Sequence, residues 1–239
     1  ETEAMAELFA DSGYEIKEFT EVADVYVINT CSVTNMGDRK SRQIIRRAKK
    51  LNPNAVIAVT GCYAQTAPDE VLAIEGVNLV LGTKDRKNIV TLVEELNTES
   101  NINHVSDIMS NHEFEELQIK QYSNRTRAFI KIQEGCNQFC SYCIIPYARG
   151  RVRSRKMEEV LEEITNLTKH GCQEFVITGI HVTSYGKDLG DVTLIDLLEE
   201  IAKIPEVKRI RLGSLEPGFI TKDTFCLLYT SDAADEARS

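Results

Sequence analysis

The sequence predicts an α/β protein made of two consecutive parallel-sheet units. Three observations carry this. Short apolar runs recur at residues 25–28, 55–59, 79–81, 128–132, 174–178 and 209–212. Segments of helical period separate them, the alternation of a parallel sheet covered on both faces. A polar stretch without periodicity, residues 98–121, divides the first three runs from the last three.

Taken in order, Met5, Leu8 and Phe9 give an opening helix its apolar face. Residues 24–30 form a strand around the run at 25–28. Residues 35–51 form a basic helix with Ile44, Ile45, Ala48 and Leu51 inward, stopped by Asn52, Pro53 and Asn54. A second strand at 55–60 is followed by a helix near 68–75, a short strand at 79–81 and a helix at 85–97. After the 98–121 linker, a strand at 128–132 leads into a cysteine loop. A helix at 156–170, with Val160, Leu161, Ile164 and Leu167 inward, closes at Gly171. A strand at 174–178, a helix at 194–204 and a strand at 209–212 complete three β–α steps, half of a parallel barrel.

The 239 residues suffice for two cores. No apolar run reaches the roughly 18 residues of a membrane span, so no membrane is expected among the partners. The chain opens at Glu1 without Met, and a native start is expected upstream. The net charge is −9, unevenly spread. Residues 120–156 carry nine Lys/Arg against Glu134, and residues 38–50 seven against Asp38. The local balances of +8 and +6 leave −23 on the remainder. An acidic body with two basic segments suits a polyanion held at one face, or two solvated surfaces. The seven cysteines, three of them within eight residues, do not resemble a secreted disulfide framework; they read as reduced, metal-binding thiols.

The three are Cys136, Cys140 and Cys143, a C-x3-C-x2-C array directly after a strand. Thiolates are the usual protein ligands of iron–sulfur clusters. Three on one short loop can hold three irons of a [4Fe–4S] cube and leave the fourth open, as a catalytic centre requires. The rival is a structural zinc site completed by Cys172, His170 or His181, although zinc sites more often pair two C-x2-C-like elements. Cys31 and Cys62 each directly follow a predicted strand. In a parallel sheet such positions share one edge, where α/β sheets bind ligands, so the two could converge or could be small buried residues. Arg149, Arg151, Arg153 and Arg155 alternate; an extended chain puts them on one face, where guanidinium groups suit phosphates or carboxylates. A solvated loop is the alternative. His181 sits just after a strand, at the end where barrels place active sites.

The stretch from Ile132 to Gly150, with its Cx3Cx2C array and Tyr142 before the last cysteine, resembles the radical S-adenosylmethionine (SAM) enzymes, and among them the methylthiotransferases. The likeness runs from residue 1 to about 224. It implies an N-terminal parallel-sheet domain of flavodoxin- or Rossmann-like form (1–97, first strand missing), a linker (98–121), a partial radical SAM (β/α) barrel (122–225) and a tail (226–239) that departs from the family pattern and reads as non-native. It implies two [4Fe–4S] clusters: one on Cys136, Cys140 and Cys143 that binds SAM, and one on Cys31, Cys62 and a third cysteine upstream of Glu1. With two of those three ligands, the chain alone is expected to show little activity. The resemblance further implies SAM contacts for Tyr142, Gly179, His181, Ser214 and Glu216, substrate contacts for Arg149, Arg151, Arg153 and Arg155, transfer RNA as partner, a flavodoxin or ferredoxin as electron donor, and a cytoplasmic setting. Residues 132–136, 150–155 and 179–188 most resemble the group that methylthiolates N6-threonylcarbamoyladenosine next to the tRNA anticodon. Groups acting on N6-isopentenyladenosine or on a ribosomal-protein aspartate are the alternatives within enzymes, and a non-catalytic metal-binding module is the alternative outside them.

Overall fold

The structure is a computed structural model that describes residues 1–32, 34–96, 101–117, 126–213, 215–221 and 224. Its chain divides into two compact units. The first holds residues 1–119 and 135–151; the second holds 120–134 and 152–239.

The first unit is a parallel four-stranded sheet in the order β1-β2-β3-β4. Its strands are β1 (Val25–Thr30), β2 (Val56–Gly61), β3 (Leu79–Leu81) and β4 (Ile102–His104). The apolar runs are continuous because both faces are covered. Tyr26, Ile28, Ile57, Val59 and Val80 face α2 (Asn35–Leu51) and α4 (Pro68–Leu72). Ala58, Leu79 and Leu81 pack with Met5 and Phe9 of α1 (Thr2–Asp11) and with Ile89, Val90 and Val93 of α5 (Ile89–Glu94). Thr34 caps α2 by accepting from the Gly37 N–H at 3.1 Å.

Two expectations are corrected here. Ile44 is 41% exposed, while Ser41, Ile45 and Ala48 are buried. These three lie on one helical stripe at i, i+4 and i+7, and Ile44 flanks it. Residues 102–104, expected in a linker, pair with β3 as β4. All three are exposed. An edge strand with no apolar face leaves no periodic signal. The described part of the segment also holds a 3-10 turn at Ile108–Ser110. A short helix that the sequence did not announce, α3 (Cys62–Thr66), follows β2.

The second unit has a sheet in the order β6-β5-β7-β8. Strands β5 (Arg127–Glu134), β7 (Glu174–Gly179) and β8 (Arg209–Leu212) run parallel, and the two-residue β6 (Arg153–Ser154) pairs antiparallel with β5. Ala128, Ile130, Ile132, Phe175 and Ile177 are buried, while Phe129 is half exposed. Helices α7 (Met157–Lys169) and α8 (Leu194–Ala202) contribute Val160, Ile164, Leu167, Leu197 and Ile201 to the interior. Across the strands Glu174 takes Arg127 at 2.6 Å and Arg211 at 2.5 Å, which hold its carboxyl below the ordinary range, Arg211 most. Among the described residues no helix is long and apolar enough to cross a membrane.

Helix α8 begins with a capping box. The Thr193 hydroxyl accepts from the Asp196 N–H at 3.3 Å, and the Asp196 carboxylate accepts from the Thr193 N–H at 2.8 Å. The Thr193 hydroxyl and backbone N–H hold the Asp196 carboxyl below its ordinary 3.8. A carboxyl with a depressed pKa stabilises the fold above its ordinary value and loses that contribution as pH falls through the folded one. Thr193→Ala is expected to cost about 1 kcal/mol at neutral pH. In urea titrations the gap from the parent should narrow as pH falls below 3.8; a gap independent of pH would dismiss the carboxylate's part in the cap.

Candidate metal centre

Strands β1 and β2 pair in register, with Asn29 opposite Thr60 and Thr30 opposite Gly61. Cys31 and Cys62 are therefore the next residues on two neighbouring strands, at the carboxyl edge of the first unit's sheet. Cys62 is buried and Cys31 exposed. Gly61 lets the chain turn there. Its φ is +97°, and a Cβ would lie 2.3 Å from the Thr30 carbonyl oxygen and 2.6 Å from Asn29 Oδ1. The threonines close the strand ends, Thr30 Oγ1 donating to the Thr60 carbonyl at 2.6 Å and Thr60 Oγ1 to the Gly82 carbonyl at 2.7 Å. Asn29 Oδ1 is buried beside them with no hydrogen-bond partner among the described residues.

The cysteine loop leaves β5 at Gly135, φ +71°, where a Cβ would fall 1.9 Å from the Arg151 carbonyl oxygen. The loop closes on itself, the Cys136 N–H donating to the Gly150 carbonyl at 3.0 Å and the Cys143 N–H to the Cys140 carbonyl at 2.9 Å. Phe139 sits in the left-handed region at φ +46°, an uncommon state for a bulky residue. Its ring packs edge-on to Tyr147 at 6.0 Å, with the Arg151 guanidinium 5.8 Å away. Cys136 is buried, Cys143 half-buried and Cys140 exposed. Tyr142 is 90% exposed.

Three thiols on one eight-residue loop are a soft donor set suited to iron–sulfur clusters. Among the described residues no three His, Cys, Asp or Glu side chains stand together in metal-holding geometry. Cys172 is buried, and burial raises its thiol pKa. His170 Nδ1 lies 2.9 Å from the Asn166 carbonyl.

The arginines do not share one solvent face. Only Arg151 is exposed. Arg149 is 8%, Arg153 3% and Arg155 4% exposed. Arg155 pairs with the buried Glu163 of α7. Arg149 belongs to α6 (Ile145–Arg149), a further helix absent from the sequence reading. Its Nε donates to Cys62 Sγ at 3.1 Å, and its two terminal nitrogens clasp the Glu1 carboxylate at 2.6 and 3.2 Å. Glu1 also takes the fully buried Arg86 at 2.8 Å, which Glu115 meets from its other side at 2.9 Å. Thr83 Oγ1 donates to the Ala148 carbonyl at 2.8 Å. The contacts of Arg149, Arg86 and Thr83 lie within the first unit.

In the second unit, His181 lies at the end of β7. Its N–H donates to Gln133 Oε1 at 2.7 Å, its Nδ1 pairs with Ser184 Oγ, and its Nε2 lies 2.7 Å from Glu216 Oε1. The carboxylate calls for a proton on Nε2, and the serine hydroxyl then donates to Nδ1. Gly179 makes room for Gln133, whose Oε1 a Cβ would approach to 3.0 Å. His181 and Glu216 are thus brought together; Ser214 lies outside the described residues. Sequence reasoning missed Gln133, Ser184 and Glu1. Gln133 follows a register shift in β5 that no local pattern announces.

Residues 1–82 match the family model described as Uncharacterized protein family UPF0004, and residues 130–230 match the Radical SAM superfamily. The chain is 50% identical over 234 residues to the threonylcarbamoyladenosine tRNA methylthiotransferase MtaB of Bacillus subtilis, covering 97% of this chain and 52% of that protein. It is 39% identical to the MtaB of Aquifex aeolicus, covering 97% and 57%. It is 38% identical to the tRNA-2-methylthio-N(6)-dimethylallyladenosine synthase of Dictyoglomus thermophilum, covering 91% and 50%. The chain therefore spans about half the length of these curated relatives. Among solved structures, the radical SAM methyltransferase TsrM of Kitasatospora setae aligns with a TM-score of 0.62 at 17% identity, over 95% of this chain and 55% of that one, a likeness of fold. The chain thus carries a segment that matches the Radical SAM superfamily over residues 130–230, with a UPF0004 match over residues 1–82 ahead of it.

Proposed function

We propose that this chain serves a radical SAM methylthiotransferase that converts N6-threonylcarbamoyladenosine of tRNA to its 2-methylthio derivative. The observation that carries the reading is the 50% identity to the Bacillus MtaB, which runs through both segments and not through the cysteine motif alone. Cys136, Cys140 and Cys143 are the residues that would hold a [4Fe–4S] cluster with SAM on its open iron. Cys31 and Cys62 would supply two ligands of a second cluster. Bound there, these groups supply a one-electron cleavage of SAM and the sulfur to be transferred.

The chain's own residues prepare the site. The Gly135 turn and the contact between Cys136 and Gly150 fix where the cysteine loop leaves its sheet. The bonds from Ser184, Glu216 and Gln133 fix the His181 ring. We assign His181, Glu216, Gly179 and Tyr142, with Ser214, to the SAM side. Of the four arginines, Arg151 is the one exposed to meet an RNA phosphate. A small electron carrier such as a flavodoxin or ferredoxin, and a cytoplasmic setting, complete the proposal.

The test supplies reduced protein extended to the full length of its curated relatives, with SAM and with tRNA bearing either N6-threonylcarbamoyladenosine or N6-isopentenyladenosine, followed by mass spectrometry of the digested nucleosides. A methylthio product from the first tRNA alone is expected. Product from the second alone would transfer the reading to the dimethylallyladenosine group that the Dictyoglomus relative represents. A second experiment addresses the loop. Cys136→Ala, Cys140→Ala and Cys143→Ala should each abolish the SAM-responsive part of the reduced iron–sulfur EPR signal. A response to SAM that survives all three would remove the loop from the SAM site.

A further inference from the structure

We propose that Arg149 is a positioning residue for the Cys62 sulfur, linking the two cysteine sites through one guanidinium. The inference rests on the reading of Cys31 and Cys62 as sulfur-side ligands, and deepens it.

The geometry is specific. Arg149 ends α6, the helix that directly follows the cysteine loop, while Cys62 opens α3 in the other sequence segment, 87 residues away. Its planar fork serves two partners at once. The Nε–H goes to Cys62 Sγ at 3.1 Å and the terminal nitrogens go to both oxygens of Glu1. Glu1 is itself held by Arg86. The guanidinium is therefore aimed and not merely near. The donors of Arg149 are turned to these partners, and Arg149 is only 8% exposed, which does not suit a tRNA phosphate contact. A lysine could not replace it, since one ammonium lacks the in-plane fork that reaches sulfur and carboxylate together. Cys31 has no such tie to α6 among the described contacts, so the two sulfurs are not equivalent. Hydrogen bonds to cysteine sulfur are one of the levers that set a cluster's potential. The same contact fixes the separation between Cys62 and the loop of Cys136, Cys140 and Cys143.

The test uses the reduced, metal-free chain without SAM or tRNA, so its failure leaves the methylthiolation reading standing, and a failed turnover assay leaves this test intact. In ¹⁵N spectra the Arg149 Nε–H is expected as a slowly exchanging resonance. It should move when Cys62 is changed to Ser, which keeps an acceptor, vanish or exchange fast in Cys62→Ala, and stay in place in Cys31→Ala. Amide exchange gives the second readout. In Arg149→Lys and Arg149→Gln the Ala148 and Gly150 amides should exchange roughly tenfold to a hundredfold faster, the range for losing a hydrogen bond to a charged group. An Nε–H signal indifferent to both Cys62 variants would overturn the contact. Parental exchange rates in both Arg149 variants would overturn the link between the sites.

Discussion

Parallel pairing sends the carboxyl ends of neighbouring strands to one edge, and the candidate chemistry in each unit depends on this. In the first unit the register of Thr30 opposite Gly61 makes Cys31 and Cys62 the next residues on two neighbouring strands. In the second, β7 delivers His181 from the same kind of edge. A slip of one residue between β1 and β2 would turn every buried side chain of β1 to the wrong face. Burial of Tyr26, Ile28, Ile57 and Val59 thus holds the cysteines in step.

The interior charges work against this stability unless they are matched. Arg86 is wholly buried, and isolated it would be very costly. It is met by Glu115 and Glu1, and Glu1 is shared with Arg149. Removing one member of such a set leaves a buried charge unmatched, a loss of about 3–5 kcal/mol. Replacing the whole set by apolar residues need not cost stability, so the network speaks for placement of groups more than for strength. The pair of Arg155 with Glu163 anchors α7 by the same logic.

Much of this was legible in the sequence. The strand at 79–81 and the helix at 35–51 emerge at their predicted bounds, because apolar continuity and the stop at Asn52, Pro53 and Asn54 are local signals. The C-x3-C-x2-C spacing was equally legible, since it is written in the chain. What was not legible depends on distant partners. The arginines at 149, 153 and 155 look like a surface stripe until Glu1 and Glu163 are seen beside two of them. The strand β4 has no apolar face to advertise it, and only the free edge of β3 recruits it. The histidine at 181 reads as a lone loop residue; Ser184 is close in sequence, but Gln133 comes from β5 and Glu216 from the segment after β8.

The interleaving of the two units has a consequence for how the chain is made. The first unit is closed by residues 135–151, which follow a segment belonging to the second. A ribosome delivering the chain from its N-terminus presents Cys62 long before Arg149, so residues 1–119 emerge without the last part of their own unit. Contacts of such long sequence separation form late and slowly. Until then Arg86 has Glu115 and Glu1 at hand, but Cys62 waits for a guanidinium that has not yet been translated. The sheet edge bearing Cys62 would thus be the last part of the first unit to reach its final form, after the loop that gives it Arg149 has been made.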